Sequence, residues 1–382
     1  IHVDLMLYHM TNFATRIDSI SISGIRKVFD SAGPNAINLG LGQPDFPTPS
    51  HIRDAAIRSI NNGDSDSYTP NNGILELRRA ISHKHSRDNS LNIPPENIIA
   101  TAGGSEALHI AIAAHVNPGD KVLIPDPGFV SYRALTHISG GIPVPISLRK
   151  DLTMDPSSIE NAISEDVAAF IVNSPGNPTG GVQSKSDMKE FARIADDYDI
   201  LCISDEVYEH FVFEGAHRSP MEFSKSDNVL IVNTCSKSYS MTGWRLGWVA
   251  GSKERIDKML RIHQYAQACA SAVSQHAAEA ALSGPQDSIL EMVGAFKQRR
   301  DILVDGLLDM GLDVPVPEGA FYAFPTVPSG WIDDVLSRDV IVVPGNAFGT
   351  LGNGSARIAY TVDIDQLEKA IDIMRQVTRS LN

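Results

Sequence analysis

The sequence predicts an α/β protein, with a large unit built on a mostly parallel sheet between helices and a smaller unit completing the chain. Three observations point there. Short runs rich in Val and Ile alternate with helical patterns through the middle of the chain, which is the signature of strand–helix–strand crossovers. Most of these runs do not alternate polar with apolar residues, as expected of strands buried on both faces. From about residue 284 the texture changes to a long charged helix and a stretch punctuated by Pro and Gly.

Taken in order, the strand candidates are Ala36–Leu39, Asn97–Thr101, Lys121–Ile124, Ala168–Asn173, Ile200–Ser204, Asn228–Asn233 and Leu246–Ala250. Helical spacing fills Ser105–His115 and Ser186–Tyr198 between them. A charged-faced helix over Ser288–Met310 then leads into the Pro/Gly-rich part, Gly311–Gly354, and a helix near Asp365–Ser380 closes the chain. These textures place a large domain at 37–283. A smaller one is formed by 284–382 together with the N-terminal segment 1–36. No internal repeat or low-complexity segment interrupts this plan.

Composition narrows the function classes. At roughly 150 residues per domain, 382 residues suit two or three domains, enough to bury a core without disulfides or a structural metal. The chain is 42% hydrophobic and 20% charged, which excludes wholesale disorder. Its net charge of −14, with no Lys/Arg block, opposes binding to nucleic acid. Cys202, Cys235 and Cys269 form no CxxC pair and sit in apolar or alanine-rich stretches, so they read as small buried hydrophobes in a reducing, cytoplasmic setting. No run reaches the ~18 apolar residues of a membrane span, the 265–282 stretch being broken by Gln267, Ser271, Gln275, His276 and Glu279. The first residues show no basic segment before an apolar core, so no signal peptide is expected.

In an open parallel sheet, ligands bind beyond the carboxyl ends of the strands, and the unusual residues collect there. After Asn97–Thr101 the chain runs through Gly103 and Gly104 into a helix, where the N–H groups of Gly104 and Ser105 offer an anion site. A plain glycine turn would look the same. Gly40-Leu-Gly42-Gln-Pro-Asp45 superficially suggests a dinucleotide loop, but Pro44, Pro47 and Pro49 force an extended path where that loop must open a helix. Asn173-Ser-Pro-Gly-Asn-Pro-Thr-Gly180 follows a buried strand and presents Asn177, with Asn177–Pro178 a candidate cis bond.

Asp205, at the end of Ile200–Ser204, is a carboxylate at a buried strand end and needs a positive partner. A protonated ring nitrogen, a metal or a structural arginine would each serve. Metal is disfavoured because no His/Asp/Glu cluster has ligand spacing and the twelve histidines are scattered. Lys237 stands beside hydroxyls at the end of Asn228–Asn233, with Arg245 eight residues on; together they offer an amine nucleophile and an anion clamp. A Ser-Lys hydrolase would leave Asp205, Tyr208 and Asn177 without roles. Arg357, in Gly352-Asn-Gly-Ser-Ala-Arg-Ile-Ala-Tyr360, suits a carboxylate.

These residues in this order resemble the class I/II aminotransferases, pyridoxal 5'-phosphate (PLP) enzymes of fold type I, most closely the aspartate/aromatic branch. The similarity runs from about Ser23-Gly-Ile-Arg-Lys-Val-Phe29 to the C-terminal helix. Its most specific parts are Lys237-x5-Gly243-x-Arg245-x-Gly247, Asn177-Pro-Thr-Gly180 and Asp205-x-x-Tyr208. The resemblance implies a mostly parallel seven-stranded sheet in the large domain and an α+β smaller domain. It further implies that Lys237 forms a Schiff base with PLP, that Asp205 pairs with the ring nitrogen, and that Tyr208 and Asn177 bond the ring oxygen. Gly104, Ser105, Ser236 and Arg245 would hold the phosphate, with Tyr68 reaching it from the other subunit of a homodimer. Phe129 would stack on the ring, and Arg357 with the Gly42 N–H would grip the substrate carboxylate. Asn177 would also contact the substrate. Two departures stand out: Thr234 replaces the serine common in relatives, its hydroxyl still able to serve the cofactor, and Phe129 replaces a frequent Trp and has no indole N–H.

The activity so implied is ping-pong transfer of an amino group to 2-oxoglutarate, with aspartate the first choice of donor and an aromatic amino acid the second. Phe321 and Tyr322 could line either pocket. A PLP-dependent β-elimination lyase on sulfur amino acids would use the same lysine and would release pyruvate and ammonia without an acceptor. A non-catalytic sensor on this fold would need an added DNA-binding domain and basic charge.

Overall fold

Twelve strands appear in a computed structural model that describes residues 13–20, 33 and 36–381. They are β1 (Ile37–Asn38), β2 (Ile98–Thr101), β3 (Lys121–Asp126), β4 (Ile142–Ser147), β5 (Val167–Asn173), β6 (Leu201–Asp205), β7 (Val229–Thr234), β8 (Gly247–Ala250), β9 (Tyr322–Ala323), β10 (Val340–Ile341), β11 (Val343–Pro344) and β12 (Ala356–Ala359). Seven of them form one sheet in the order β2-β8-β7-β6-β5-β3-β4. Pairing is parallel except where β8 meets β2 and β7. This is the expected fold class with one change of membership. The candidate at Ala36–Leu39 pairs instead with β10, in parallel, Ile37 opposite Val340. The seventh strand is β4, which no sequence candidate covered.

The reason lies in its two prolines. In Ile142-Pro-Val-Pro-Ile-Ser147 they argue against a central strand, but β4 is the sheet's edge. Ile142 N–H bonds inward to Asp120 O, so the residues alternating with it, Pro143 and Pro145, turn their missing donors toward the open side.

Helices cover both faces. Ser50–Asn61, Leu75–Asn89 and Ala272–Ser283 pack Ile52, Leu77, Ile81 and Leu282 with Trp248 of β8 on one side. Gly104–His115 and Lys253–Ala266 pack Leu108, Ile112 and Met259 on the other. Lys185–Tyr198 starts at an N-cap, Ser184, whose hydroxyl accepts the Asp187 N–H, and stops at Asp199 in a left-handed conformation. A separate aromatic core joins Phe296 of helix Asp287–Asp309, Phe321, Trp331, Tyr360 and Met374 of helix Ile364–Leu381, with β9, β11 and β12 as its small antiparallel sheet. Leu39, just past β1, belongs to this core.

Cys202 and Cys235 are buried and Cys269 is half-buried, all as free thiols. The beginning of the resemblance, Ser23–Phe29, lies outside the described residues, as does most of the segment 1–36. Among the described residues no helix is long and apolar enough to cross a membrane.

Candidate active site

The carboxyl ends of β2, β5, β6 and β7 border a cleft of about 330 Å³, closed on the far side by residues 40–43, Tyr322 and Arg357. Every proposed site residue except Tyr68 lines it. Tyr68 is 89% exposed and contributes nothing to the cleft of its own chain.

Lys237 is placed by a tight local device. The Thr234 hydroxyl caps the short helix Cys235–Ser238 by accepting the Ser236 N–H at 3.2 Å and gives its one proton to Leu246 O at 2.6 Å. Thr234 therefore acts as a cap here: both it and Ser236 line the cleft, but the Thr234 proton is not free for an anion. The Lys237 ammonium donates to Gly42 O at 2.6 Å and lies 5.6 Å from the Tyr208 ring centre. Burial, then the nearby Arg357 and Arg245, lower its pKa to about 8, against the opposing pull of Asp205.

Asp205 ends β6 with one carboxylate oxygen served and the other nearly unused. Tyr132 Oη donates to Oδ2 at 2.6 Å, while among the described residues Oδ1 has only the Val207 N–H at 3.4 Å. Burial pushes the carboxyl up to about 6, and the Tyr132 bond works against that rise. A buried acid with an open oxygen suits a cationic N–H partner.

Gly103, at φ 84°, turns the chain from β2 into helix Gly104–His115. A Cβ on Gly103 would lie 2.5 Å from an Arg245 guanidinium nitrogen, so only glycine lets that arginine close over the helix start. Arg245 donates to Thr242 O at 3.1 Å and Ala102 O at 3.3 Å, and its remaining N–H groups join those of the helix N-terminus in one anion cradle.

Arg357, on β12, is buried and sandwiched between the Tyr322 and Phe348 rings, each centre 4.7 Å away. It donates to Asn177 Oδ1 at 3.0 Å and to Gly40 O, while its Nε has no partner among the described residues. Asn177 is fixed from behind, its N–H donating to Asn173 Oδ1 at 2.8 Å, and the Asn177–Pro178 bond is cis, as are Asp126–Pro127 and Ser174–Pro175. Tyr208 Oη lies 2.8 Å from Tyr322 Oη. Phe129 forms one wall, edge-to-face with Tyr132 at 5.6 Å. Phe321 sits behind Tyr208 rather than in the cleft.

Sequence reasoning missed Tyr132. It stands three residues after Phe129, one turn along the same helix, which is the signal that could have found it. Although the sequence shows no His/Asp/Glu cluster of ligand spacing, the fold gathers Glu206, Glu209 and His217 with ligand-type atoms within 4.8 Å of one another. Glu209 is bonded to Lys84, Asn89 and Asn233, and Glu206 accepts from Ser204 and Ser219 while its other oxygen faces His217 Nε2 at 3.2 Å. Lys84 already supplies a cation inside this group.

The family described as aminotransferase class I and II matches residues 34–374. The chain is 42% identical over 376 residues to a probable aspartate aminotransferase of Methanocaldococcus jannaschii, covering 95% of this chain and 99% of that one. It is 35% identical to aromatic-amino-acid aminotransferase 2 of Thermococcus litoralis, with coverage of 95% and 97%. Among solved structures, the aspartate aminotransferase of Thermus thermophilus with maleate superposes at a TM-score of 0.92, with 33% identity over 96% of this chain and all of that one.

Proposed function

The chain belongs to the class I and II aminotransferases and is an aspartate-aminotransferase-like enzyme; from that premise we propose that it uses PLP to move the amino group of an L-amino acid, aspartate first, to 2-oxoglutarate by a ping-pong course. The observation that supports this best is the separation of three cations in one cleft, each with a different surrounding. Lys237 is an amine of lowered pKa, Arg245 closes an anion cradle at a helix start, and Arg357 is a stacked guanidinium with an unused N–H. Asp205, with its open Oδ1, supplies the complementary anion.

That donor set fits the cofactor: an amine for its carbonyl, a cradle for its phosphate, a carboxylate for its ring N–H and an aromatic wall for its face. When bound, PLP supplies an electrophilic carbonyl carbon and a ring that withdraws the electron pair left at the substrate's α-carbon. The protein residues do the rest. Gly104, Ser105, Ser236 and Arg245 hold the phosphate, and Phe129 covers the ring. Asp205 accepts the ring N–H and, aided by Tyr132, stays anionic. Tyr208 and Asn177 hold the ring oxygen. Arg357 and the Gly42 N–H orient the substrate through its α-carboxylate, so that its Cα–H points at Lys237. Lys237 Nζ, uncharged in a large fraction near pH 8, would take that proton and hold it for transfer. Phe129, Tyr322 and Tyr208 wall the cleft around Lys237.

An aromatic donor is the second reading, favoured by the apolar walls Leu41, Phe129 and Tyr322. We place the enzyme in the cytoplasm as a homodimer, in which the exposed Tyr68 serves the phosphate of the partner subunit's cleft. Lys237→Ala tests the chemistry. This variant is expected to bind PLP without the visible band of a lysine linkage and without multiple turnover. Retained turnover would sink the assignment, and a large kcat/KM preference for phenylalanine over aspartate would reverse the order of donors.

A further inference from the structure

Tyr322 stands on β9 opposite Ala359 of β12, and Arg357 lies two residues before Ala359 on the same face of its strand. Strand pairing thus makes Tyr322 and Arg357 diagonal neighbours, which places the guanidinium carbon 4.7 Å from the ring centre. The far end of the ring is held as well. Its hydroxyl oxygen is 2.8 Å from that of Tyr208 and crowds Gly42, where a Cβ would fall 2.0 Å away. The residue is 1% exposed, and the ring also packs on Phe321 at 5.0 Å, so the side chain has no room to swing aside.

We infer that Tyr322 is a positioning residue with two separable tasks. Its ring fixes the plane of Arg357 for a substrate carboxylate, and its hydroxyl donates to Tyr208 so that Tyr208 can give its own proton to the cofactor's ring oxygen. This rests on the reading of the cleft given above.

The second task follows from counting protons. A tyrosine hydroxyl has one proton to donate and lone pairs to accept with. If the Tyr208 proton goes to the cofactor oxygen, the 2.8 Å bond between the tyrosines runs from Tyr322 to Tyr208. Hydrogen bonds in series strengthen one another, so Tyr322 makes Tyr208 the better donor. That stabilises the anionic ring oxygen and keeps the Lys237–cofactor linkage unprotonated to a lower pH. The charged and titratable groups facing the pair are Arg357 from β12, Lys237 over the Tyr208 ring, Asp205 from β6 and Tyr360. Tyr322→Phe leaves all of them in place and removes only the hydroxyl.

Two variants of the holoenzyme separate the tasks. Tyr322→Phe is expected to raise the pH midpoint of the bound cofactor's visible absorption by about 0.3–0.5 unit, a two- to threefold change in acid dissociation constant. It should leave the Kd for maleate, an unreactive carboxylate probe, within about twofold, because the ring and its stacking remain. Tyr322→Met fills similar space without a π face and is expected to weaken maleate binding about fivefold. With the wild-type band present, an unchanged midpoint in Tyr322→Phe, or unchanged maleate affinity in Tyr322→Met, would overturn the inference. A wild-type protein with no visible band on adding PLP would instead overturn the reading of the site itself.

Discussion

Replacing Lys237 with methionine should make the cofactor-free protein more stable at neutral pH, although it abolishes turnover. The half-buried amine lies in the cleft beside two arginines, and its pKa falls to about 8 from an ordinary value near 10.5. That drop of about 2.5 units corresponds to about 3 kcal/mol of destabilisation wherever the group is protonated in both states. The sign follows from proton counting. Between about pH 8 and 10.5 the unfolded chain keeps a proton that the folded protein has lost, so wild-type stability rises with pH across that window and the cost fades. Integrating the two titrations leaves about 1 kcal/mol of the cost at pH 9.5. Lys237→Met also removes the 2.6 Å bond to Gly42 O, worth about 1 kcal/mol in the opposite direction. The net expectation is a gain of about 2 kcal/mol at pH 7 that shrinks to nearly nothing at pH 9.5. Urea unfolding of the PLP-free proteins at one protein concentration and both pH values measures this. A stability difference that is the same at pH 7 and 9.5 would refute the claim that a strained charge, rather than packing, sets the cost.

Tyr132→Phe removes the one short bond to Asp205 and so pushes that carboxyl further above its ordinary value; the Kd for PLP, followed by absorption, should rise about tenfold, a loss of about 1.4 kcal/mol, and an unchanged Kd would show that Asp205 holds itself. Lys84→Met strands the buried Glu209 carboxylate and should lower stability by about 3–5 kcal/mol in urea. The double variant Lys84→Met/Glu209→Leu should recover much of that loss; if it is no more stable than the single variant, charge is not what Lys84 contributes there.

How far the sequence could be read depends on where each residue's partner lies. Lys237, Asp205, Asn177 and Arg357 were legible because a costly polar group at the end of a buried strand has few bland explanations. The central strands were legible because β5, β6 and β7 are apolar on both faces. Strand β4 was not, since the tolerance of Pro143 and Pro145 depends on its being an edge, and edge position is a property of the whole sheet. Ile37–Asn38 has a strand's composition, but its partner β10 lies some 300 residues further on. Tyr132 carried no sequence signal of its own because it is core by burial, and only its hydroxyl, aimed at β6, gives it a role. The Glu206–Glu209–His217 group was hidden because Lys84 and Asn89, which make it affordable, come from a helix more than a hundred residues earlier.

The two carboxylates that leave β6 in succession show what distinguishes a working site from a structural network. Asp205 and Glu206 are neighbours on an extended chain end, so their side chains depart to opposite sides. One Glu206 oxygen accepts from two serines while the other lies 3.2 Å from His217 Nε2 without a hydrogen bond among the described residues; Glu209, three residues on, has Lys84, Asn89 and Asn233 and is held well below the ordinary carboxylate range. On the cleft side the pairing is left incomplete. Asp205 has a spare oxygen, Lys237 a single carbonyl, and Arg357 an unused Nε. Leaving such groups short of partners costs stability unless something arrives to complete them. Glu209 is thus finished by the fold, whereas the groups in front would be finished by a ligand whose charges are distributed as phosphate, ring cation and carboxylate. The complementary charges left short of partners in the cleft, more than its size, are the preorganisation on which catalysis of amino-group transfer would draw.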